Sequence, residues 1–310
     1  MSHSTGGRRA RQIETLRTQF ALADGLPFAD VLSAERIERA LREEGACWRE
    51  QVFTPVLTLW TFLAQVISPD GSCRAAVSRL LAWLVSQGQP TCRPQTGPYC
   101  KARQRLSESL LSRLARETGR DLHQQTPSAW RWKGRRVKLV DGSTVSMPDT
   151  PANQKAYPQS GTQAAGVGFP IARVVVVFCL ACGAVLDAAL GRYQGKQTGE
   201  NSLLRTLDSA LEEGDVVLGD RYFSGYFDLA LWRQRGIDVV VRLHQLRRAD
   251  FRRGLRLGRE DHVVDWAKPP RPAWMDEETY QRLPATLTVR EVRVRIHQAG
   301  FRSRVVVVAT

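Results

Sequence analysis

Apolar residues recur along this chain at two different periods. From residue 13 to about residue 122 the spacing is helical. Val31, Leu32, Ile37 and Leu41 fall at helical intervals, with Ser33 placed to cap the first turn. The run 52–66, around Trp60 and Phe62, is apolar nearly all round and predicts a buried helix. Ser68-Pro69-Asp70-Gly71 breaks it, and 75–85 resumes with Leu80, Leu81 and Leu84. After the turn residues of 89–98, the stretch 99–120 predicts one more amphipathic helix. These segments imply a helical unit over 13–130, preceded by a basic flexible tail over 1–12.

Beyond Arg136 the period drops to two. Strands are predicted over 137–141, 173–180, 184–190, 215–220 and 237–243, with helices over 200–213 and 224–235. The segment 148–168 reads as a long loop, and 269–284 as irregular and proline-rich. Leu287 and Phe301 open the two arms of a hairpin, 287–296 and 301–309, around Gln298-Ala299-Gly300. Arg290-Glu291 shifts the alternation, which predicts a bulge. Three strands, then helix, strand, helix, strand, describe a meander followed by right-handed crossovers. The fourth strand then runs parallel to the first. The fold class is α/β: a mixed sheet flanked by helices over 131–243, with a β-rich insertion over 244–310.

Two of these strands end on a carboxylate. Val137, Leu139 and Asp141 share one phase, as do Val216, Leu218 and Asp220, so both aspartates are expected to look inward. An inward carboxylate is costly unless it meets a metal or a partner. Adjacent parallel strands would bring the two ends about 4.8 Å apart, at the switch point where such sheets bind ligands. That spacing suits divalent metal, and metal pairs roughly 3.5–4 Å apart support phosphoryl transfer. Taken alone, each aspartate also fits a solvated loop residue or a helix N-cap.

The charge balance points to a polyanion. Lys+Arg is 45 against Asp+Glu 31, a net charge of +14, with pI near 10.1. Nucleic acid is the simplest such partner, although a generally arginine-rich composition gives the same number. Candidate DNA contacts are Lys133, Arg135 and Arg136 beside Trp130 and Trp132, Arg221, and Arg247, Arg248, Arg252 and Arg253 in an arginine-rich stretch. The six scattered cysteines lack a secretory leader and zinc spacing, which fits a reducing cytoplasm. No apolar run reaches the roughly 18 residues of a membrane span, so no membrane association is expected.

Four segments, in order, carry a family likeness. They are 94–106 with Gly97, Tyr99, Lys101 and Arg103; Leu139-Val140-Asp141-Gly142-Ser143-Thr144; Thr198-Gly199-Glu200; and Gly219-Asp220-Arg221-Tyr222-Phe223. From about Ala40 onward the chain resembles DDE transposases of bacterial insertion sequences, the insertion-sequence-four type, whose core is ribonuclease-H-like. The resemblance implies three carboxylates holding two Mg²⁺ (or Mn²⁺) ions that activate water and then a DNA 3′-hydroxyl. It implies double-stranded DNA partners, both the element's terminal repeats and the target, a homodimer in the synaptic complex, and a place in the bacterial cytoplasm at the nucleoid. Asp141 and Asp220 match the first two acids.

The third acid in that family is a Glu on a helix after the fifth strand, in a Tyr–Arg–Glu pattern. No such helix follows before Thr310, so the third acid is expected beyond residue 310 and the chain reads as an incomplete copy, inactive by itself. Glu260 and Glu291 are the nearby glutamates outside the 276–278 acidic run. Two other classes fit part of the sequence. A non-catalytic DNA-binding regulator derived from a transposase fits the charge and the missing acid. An aspartyl-phosphate phosphohydrolase also starts after a strand, with Asp-x-Asp-x-Thr, but Ser143 stands where its second Asp would be.

Overall fold

Helix caps set the first half of the chain. The computed structural model describes residues 29–45, 48, 52–164, 166–298, 300 and 305–310. The expected tail 1–12, the start of the helical segment, Cys47 and part of the 298–300 hairpin tip lie outside them. The chain divides into two compact units, Met1–Thr118 and Gly119–Thr310. In the first unit, Ser33 Oγ accepts the Arg36 N–H and starts α1 (Ala34–Glu43), which buries Ile37, Ala40 and Leu41. Thr54 and Ser72 cap α2 (Pro55–Ile67) and α3 (Cys73–Ser86) in the same way. The single helix expected over 99–120 is instead two, α4 (Thr96–Arg103) and α5 (Glu108–Gln124). Ser107 is the reason: its hydroxyl accepts the Leu110 N–H at 3.1 Å and begins a new helix rather than continuing the old one.

A nine-stranded mixed sheet dominates the second unit. Its strands are β1 (Val137–Ser146), β2 (Ile171–Cys179), β3 (Val185–Arg192), β4 (Val216–Gly219), β5 (Asp238–Arg242), β6 (Leu255–Gly258), β7 (Asp261–Ala267), β8 (Thr286–Arg295) and β9 (Val305–Ala309). Their spatial order is β3-β2-β1-β4-β5-β9-β8-β7-β6. β1, β2 and β3 pair antiparallel; β1, β4 and β5 pair parallel. The expected adjacency of the first and fourth strands is present, in register Val140↔Gly219. Residues 255–309 extend this same sheet, because β9 joins β5 on one side and β8 on the other.

Between the strands lie α6 (Pro151–Ala156), inside the segment expected to be loop, then α7 (Glu200–Thr206), α8 (Tyr226–Gln234) and α9 (Glu277–Arg282), the last inside the proline-rich stretch. Thr150 explains α6: it caps the Asn153 N–H and is followed by Pro151 at the first turn. The helix expected over 200–213 stops at Thr206. There Asp208 takes the Trp232 indole N–H and the Arg235 guanidinium, and Arg235 also binds the Asp208 and Leu211 carbonyls. Tertiary partners thus hold 208–210 as a tighter turn. Val140, Val175, Val177, Val217 and Val241 from the sheet bury against Leu203, Leu204, Leu229 and Trp232 from the helices. No helix among the described residues is long and apolar enough to cross a membrane.

The bulge expected at Arg290-Glu291 is absent. β8 pairs without interruption from Thr286 to Val292 with β7, and from Glu291 to Arg295 with β9. Leu287, Val289 and Glu291 continue one buried face. The alternation looked broken because a glutamate occupies a core position. Its carboxylate is satisfied there: Oε1 accepts the Trp266 indole N–H at 2.9 Å, and Oε2 meets His262 Nε2 at 3.1 Å.

His123, near the end of α5, is 5% exposed, and neither ring nitrogen has a hydrogen-bond partner. Burial holds its pKa below the ordinary value, and the Lys138 and Arg136 charges push the same way. The unfolded chain, with a histidine pKa near 6.5, then binds the proton more readily than the folded one. Stability is fully present above that value and is lost as pH falls through the folded pKa. Between pH 7.5 and 5.5 the urea midpoint of the protein should fall further than that of His123→Leu. Equal falls would contradict this account.

Candidate metal-binding cleft

β1 changes character at Asp141. Val137, Lys138 and Val140 are buried, Leu139 is partly so, and residues from Asp141 onward are largely exposed. The expected inward placing is therefore corrected for Asp141, and for Asp220 too, which is exposed one residue past the end of β4. β1 is a central strand covered on both faces, so burial does not alternate along it. Its cover ends where β4 ends, at Gly219, one position before Asp220. Past that point β1 continues to Ser146 paired with β2 alone. The result is an open cleft with Asp141 on one wall and Asp220 beside it on the parallel neighbour.

Backbone amides orient both carboxylates. Asp141 Oδ1 accepts the Gly142 N–H at 2.9 Å. Asp220 Oδ1 accepts the Tyr222 N–H at 2.8 Å and caps the single turn Arg221–Phe223. The N-cap alternative is thus realised for Asp220 with one oxygen, and the second oxygen remains available. Among the described residues neither aspartate forms an ion pair.

A third carboxylate stands close by, one that the strand phases did not reveal. Glu200 opens α7, and its side chain fills the space beside Gly142. A Cβ at 142 would lie 2.5 Å from Glu200 Cδ and 2.8 Å from Oε1. Burial raises the Glu200 pKa; Arg173, 4.0 Å away, opposes this, and Asp220 and Asp141 add to it. The signal available in the sequence was the Thr198-Gly199-Glu200 helix opening. Among the described residues no three His, Cys, Asp or Glu side chains are placed to hold one ion together.

The two glutamates considered as third acid are engaged elsewhere. Glu260 binds Arg293 at 3.0 Å and Arg295 at 3.2 Å, and the Arg293 hydrogen bond holds its pKa down. Glu291 lies in the β7–β8 face described above.

The candidate DNA-contacting cations divide by their partners. Arg135 binds Asp238 and the carbonyls of Gly214 and Asp215; Arg136 pairs with Glu212 at 3.3 Å. Lys133, in a left-handed backbone conformation (φ 50°), lies over the Trp132 ring. Arg252 and Arg253 both reach Asp250, whose pKa the Arg252 hydrogen bond and neighbouring backbone N–H hold down at about 2. Arg221, Arg247 and Arg248 instead line one hollow of about 640 Å³ with Tyr222 and His244. Arg221 donates to Gln245 there, and the Arg247 guanidinium lies 3.8 Å above the Trp266 ring. This hollow adjoins Asp220 through Arg221.

Comparison with known proteins gives the family of the chain. The chain is 26% identical over 247 residues to the transposase InsG for insertion sequence element IS4 of Escherichia coli (strain K12). The match covers 78% of this chain and 53% of that protein, so the chain spans about half the length of this relative. Transposases with DDE domains bind DNA and generally use divalent metal ions. The donor set here fits such an ion: two hard carboxylate groups just past the last pair of neighbouring parallel strands, with no cation paired to either among the described residues. The family described as Transposase DDE domain matches residues 132–297, more than half of the sequence, from the approach to β1 through β8. The chain belongs to that family of transposase DDE domains.

Proposed function

We propose that this chain works in insertion-sequence transposition, by metal-dependent cleavage and strand transfer at DNA phosphodiesters, with Asp141 and Asp220 holding the metal. The observation that carries this reading is the parallel β1–β4 ladder, whose last pair is Val140↔Gly219, with a carboxylate as the next residue on each side, Asp141 and Asp220, and no ion pair to either among the described residues. Mg²⁺ or Mn²⁺, two ions in the complete site, would supply Lewis-acid stabilisation of the phosphoryl oxygens and a more acidic bound water. The protein's own residues do the positioning. The Gly142 and Tyr222 amides hold one oxygen of each aspartate against the backbone, and the other would be the one to reach the metal. The β1–β4 ladder keeps the two ends from drifting apart. Arg221 and Arg248, at the rim of the hollow beside Asp220, suit phosphates of double-stranded DNA, both the element's terminal repeats and the target. A homodimer would bring two such clefts to the two ends of one element.

Mn²⁺ binding followed by electron paramagnetic resonance tests the acids. Asp141→Asn and Asp220→Asn should each weaken binding by more than about 100-fold, since loss of a direct ligand should exceed the roughly 10–100-fold range of supporting groups. Unchanged affinity in both variants would refute the reading.

A further inference from the structure

The cleft has a carboxylate that the two-aspartate account does not use. We infer that Glu200 is a positioning residue of this site, acting on the metal ion held by Asp141 and Asp220 through water bound to that ion. This rests on the metal reading above and adds a residue to it.

Three observations lead here. First, Gly142 leaves a notch immediately after Asp141, and the Glu200 carboxyl group occupies it: a methyl group at 142 would sit 2.5–2.8 Å from Glu200 Cδ, Cγ and Oε1. The smallest residue therefore stands where any side chain would expel this carboxylate. Second, Glu200 has little other use for its charge. Its cationic neighbour, Arg173 of β2, is 4.0 Å away, and Arg173 also donates to the Tyr193 carbonyl and lies over the Tyr193 ring. Third, three acidic residues from three elements, β1, α7 and the turn after β4, lie near enough for the Asp141 and Asp220 charges to act on Glu200, and among the described residues Arg173 is the cation paired with any of them. Bringing like charges together is unfavourable unless a cation joins them.

The same geometry limits the role. Because the three side chains are not placed to hold one ion together, Glu200 is one shell further out. Mg²⁺ keeps several of its waters when proteins bind it by one or two carboxylates. A carboxylate across the cleft accepts hydrogen bonds from such waters and fixes where they point. An acid in the first turn of a helix is also favourable simply through the helix dipole. That role would leave metal affinity unmoved, which separates the two.

The experiment is a Mn²⁺ titration of the whole chain by electron paramagnetic resonance, with thermal unfolding recorded for every variant. Glu200→Gln keeps the side-chain shape and should weaken Mn²⁺ binding about 10–100-fold, the range for groups that act through a ligand. Gly142→Ala should weaken it similarly, by pushing the carboxylate out of its notch. In a Glu200→Ala background Gly142→Ala should add nothing, because the group it displaces is gone. Wild-type affinity in Glu200→Gln, with binding lost in Asp141→Asn, overturns the inference and leaves the metal reading standing. Wild-type affinity in Asp141→Asn and Asp220→Asn overturns the metal reading itself. Should Gly142→Ala unfold, Glu200→Gln alone decides.

Discussion

Replacing Asp215 by alanine should cost the fold about 3–5 kcal/mol, the loss expected when one partner of a buried ion pair is removed. Lys138 and Asp215 are each 2% exposed at the side chain, with Nζ 2.6 Å from Oδ2. Lys138 Nζ also donates to the Ala210 carbonyl at 2.8 Å, and Asp215 Oδ2 accepts the Glu212 N–H at 2.7 Å. Without the carboxylate, the ammonium group keeps one carbonyl and no counter-charge. Lys138→Met should cost a similar amount, by leaving the carboxylate with one amide. The double variant Lys138→Met/Asp215→Leu should recover most of the loss, since an apolar pair carries no desolvation penalty. At roughly 2–4 °C per kcal/mol for a unit of this size, each single change lowers the melting point by about 6–20 °C. Urea unfolding followed by circular dichroism measures it, and unshifted midpoints in both single variants would refute it. The effect reaches the cleft because Lys138 sits opposite Val217 in the parallel ladder. Losing the pair loosens the register that sets Asp141 beside Asp220.

The second large effect is expected at Glu291, and it depends on which atom replaces which. His262 Nδ1 lies 2.8 Å from the Arg253 carbonyl, which can only accept, so Nδ1 carries a proton. One further proton must then lie between His262 Nε2 and Glu291 Oε2, whichever of the two owns it. Oε1 accepts from Trp266. Glu291→Ala removes both acceptor oxygens from a face where His262 and Glu291 are 1% and 3% exposed. It should destabilise by about 3–5 kcal/mol. Glu291→Gln can keep every bond: its carbonyl accepts the indole N–H, and its NH₂ donates to an unprotonated Nε2. It should cost about 1 kcal/mol or less, the net worth of an exchanged hydrogen bond. A glutamine variant as damaged as the alanine one would show that the charge itself is needed. The arginine stretch depends on this trio, because Arg247 stacks on Trp266, Phe251 packs on the His262 ring, and Arg253 lends the carbonyl. Glu291→Ala should therefore also loosen 247–253, measurable as faster amide exchange there.

The parts of this fold that were legible in the sequence are those governed by short-range pattern. The period-two valines located β1, β2, β4 and β5, and the element order was enough to make β1 and β4 parallel neighbours, although β1 runs on past Asp141 to Ser146 and β4 stops one residue before Asp220. Where local chemistry competes with pattern, the reading slipped. Ser107 restarted a helix that the apolar spacing carried straight through, and Thr150 with Pro151 built one inside an apparent loop. Charged residues in core positions misled in a second way. Glu291 looked like a break in phase because it is held in the core by a partner far along the chain, His262, as Lys138 is held by Asp215. In the sequence Glu200 stands out only as part of a helix opening. Its place beside Gly142 depends on how α7 lies against the sheet, a packing result that no spacing in one segment encodes.

The position of β9 has a consequence in time. β5 accepts β9 as its neighbour, and β8 lies beyond it, so the sheet is whole only once the segment 305–309 is present. During synthesis that segment follows β5 by roughly 65 residues. At about 5–20 residues per second, the edge of β5 waits some 3–13 s for its partner. Through that interval the unpaired amides and carbonyls beside Val241 and Arg242 are open to any other strand, including the same strand on a neighbouring nascent chain. Slow translation through 243–304 should therefore lower the yield of soluble protein more than an equal delay placed before β1.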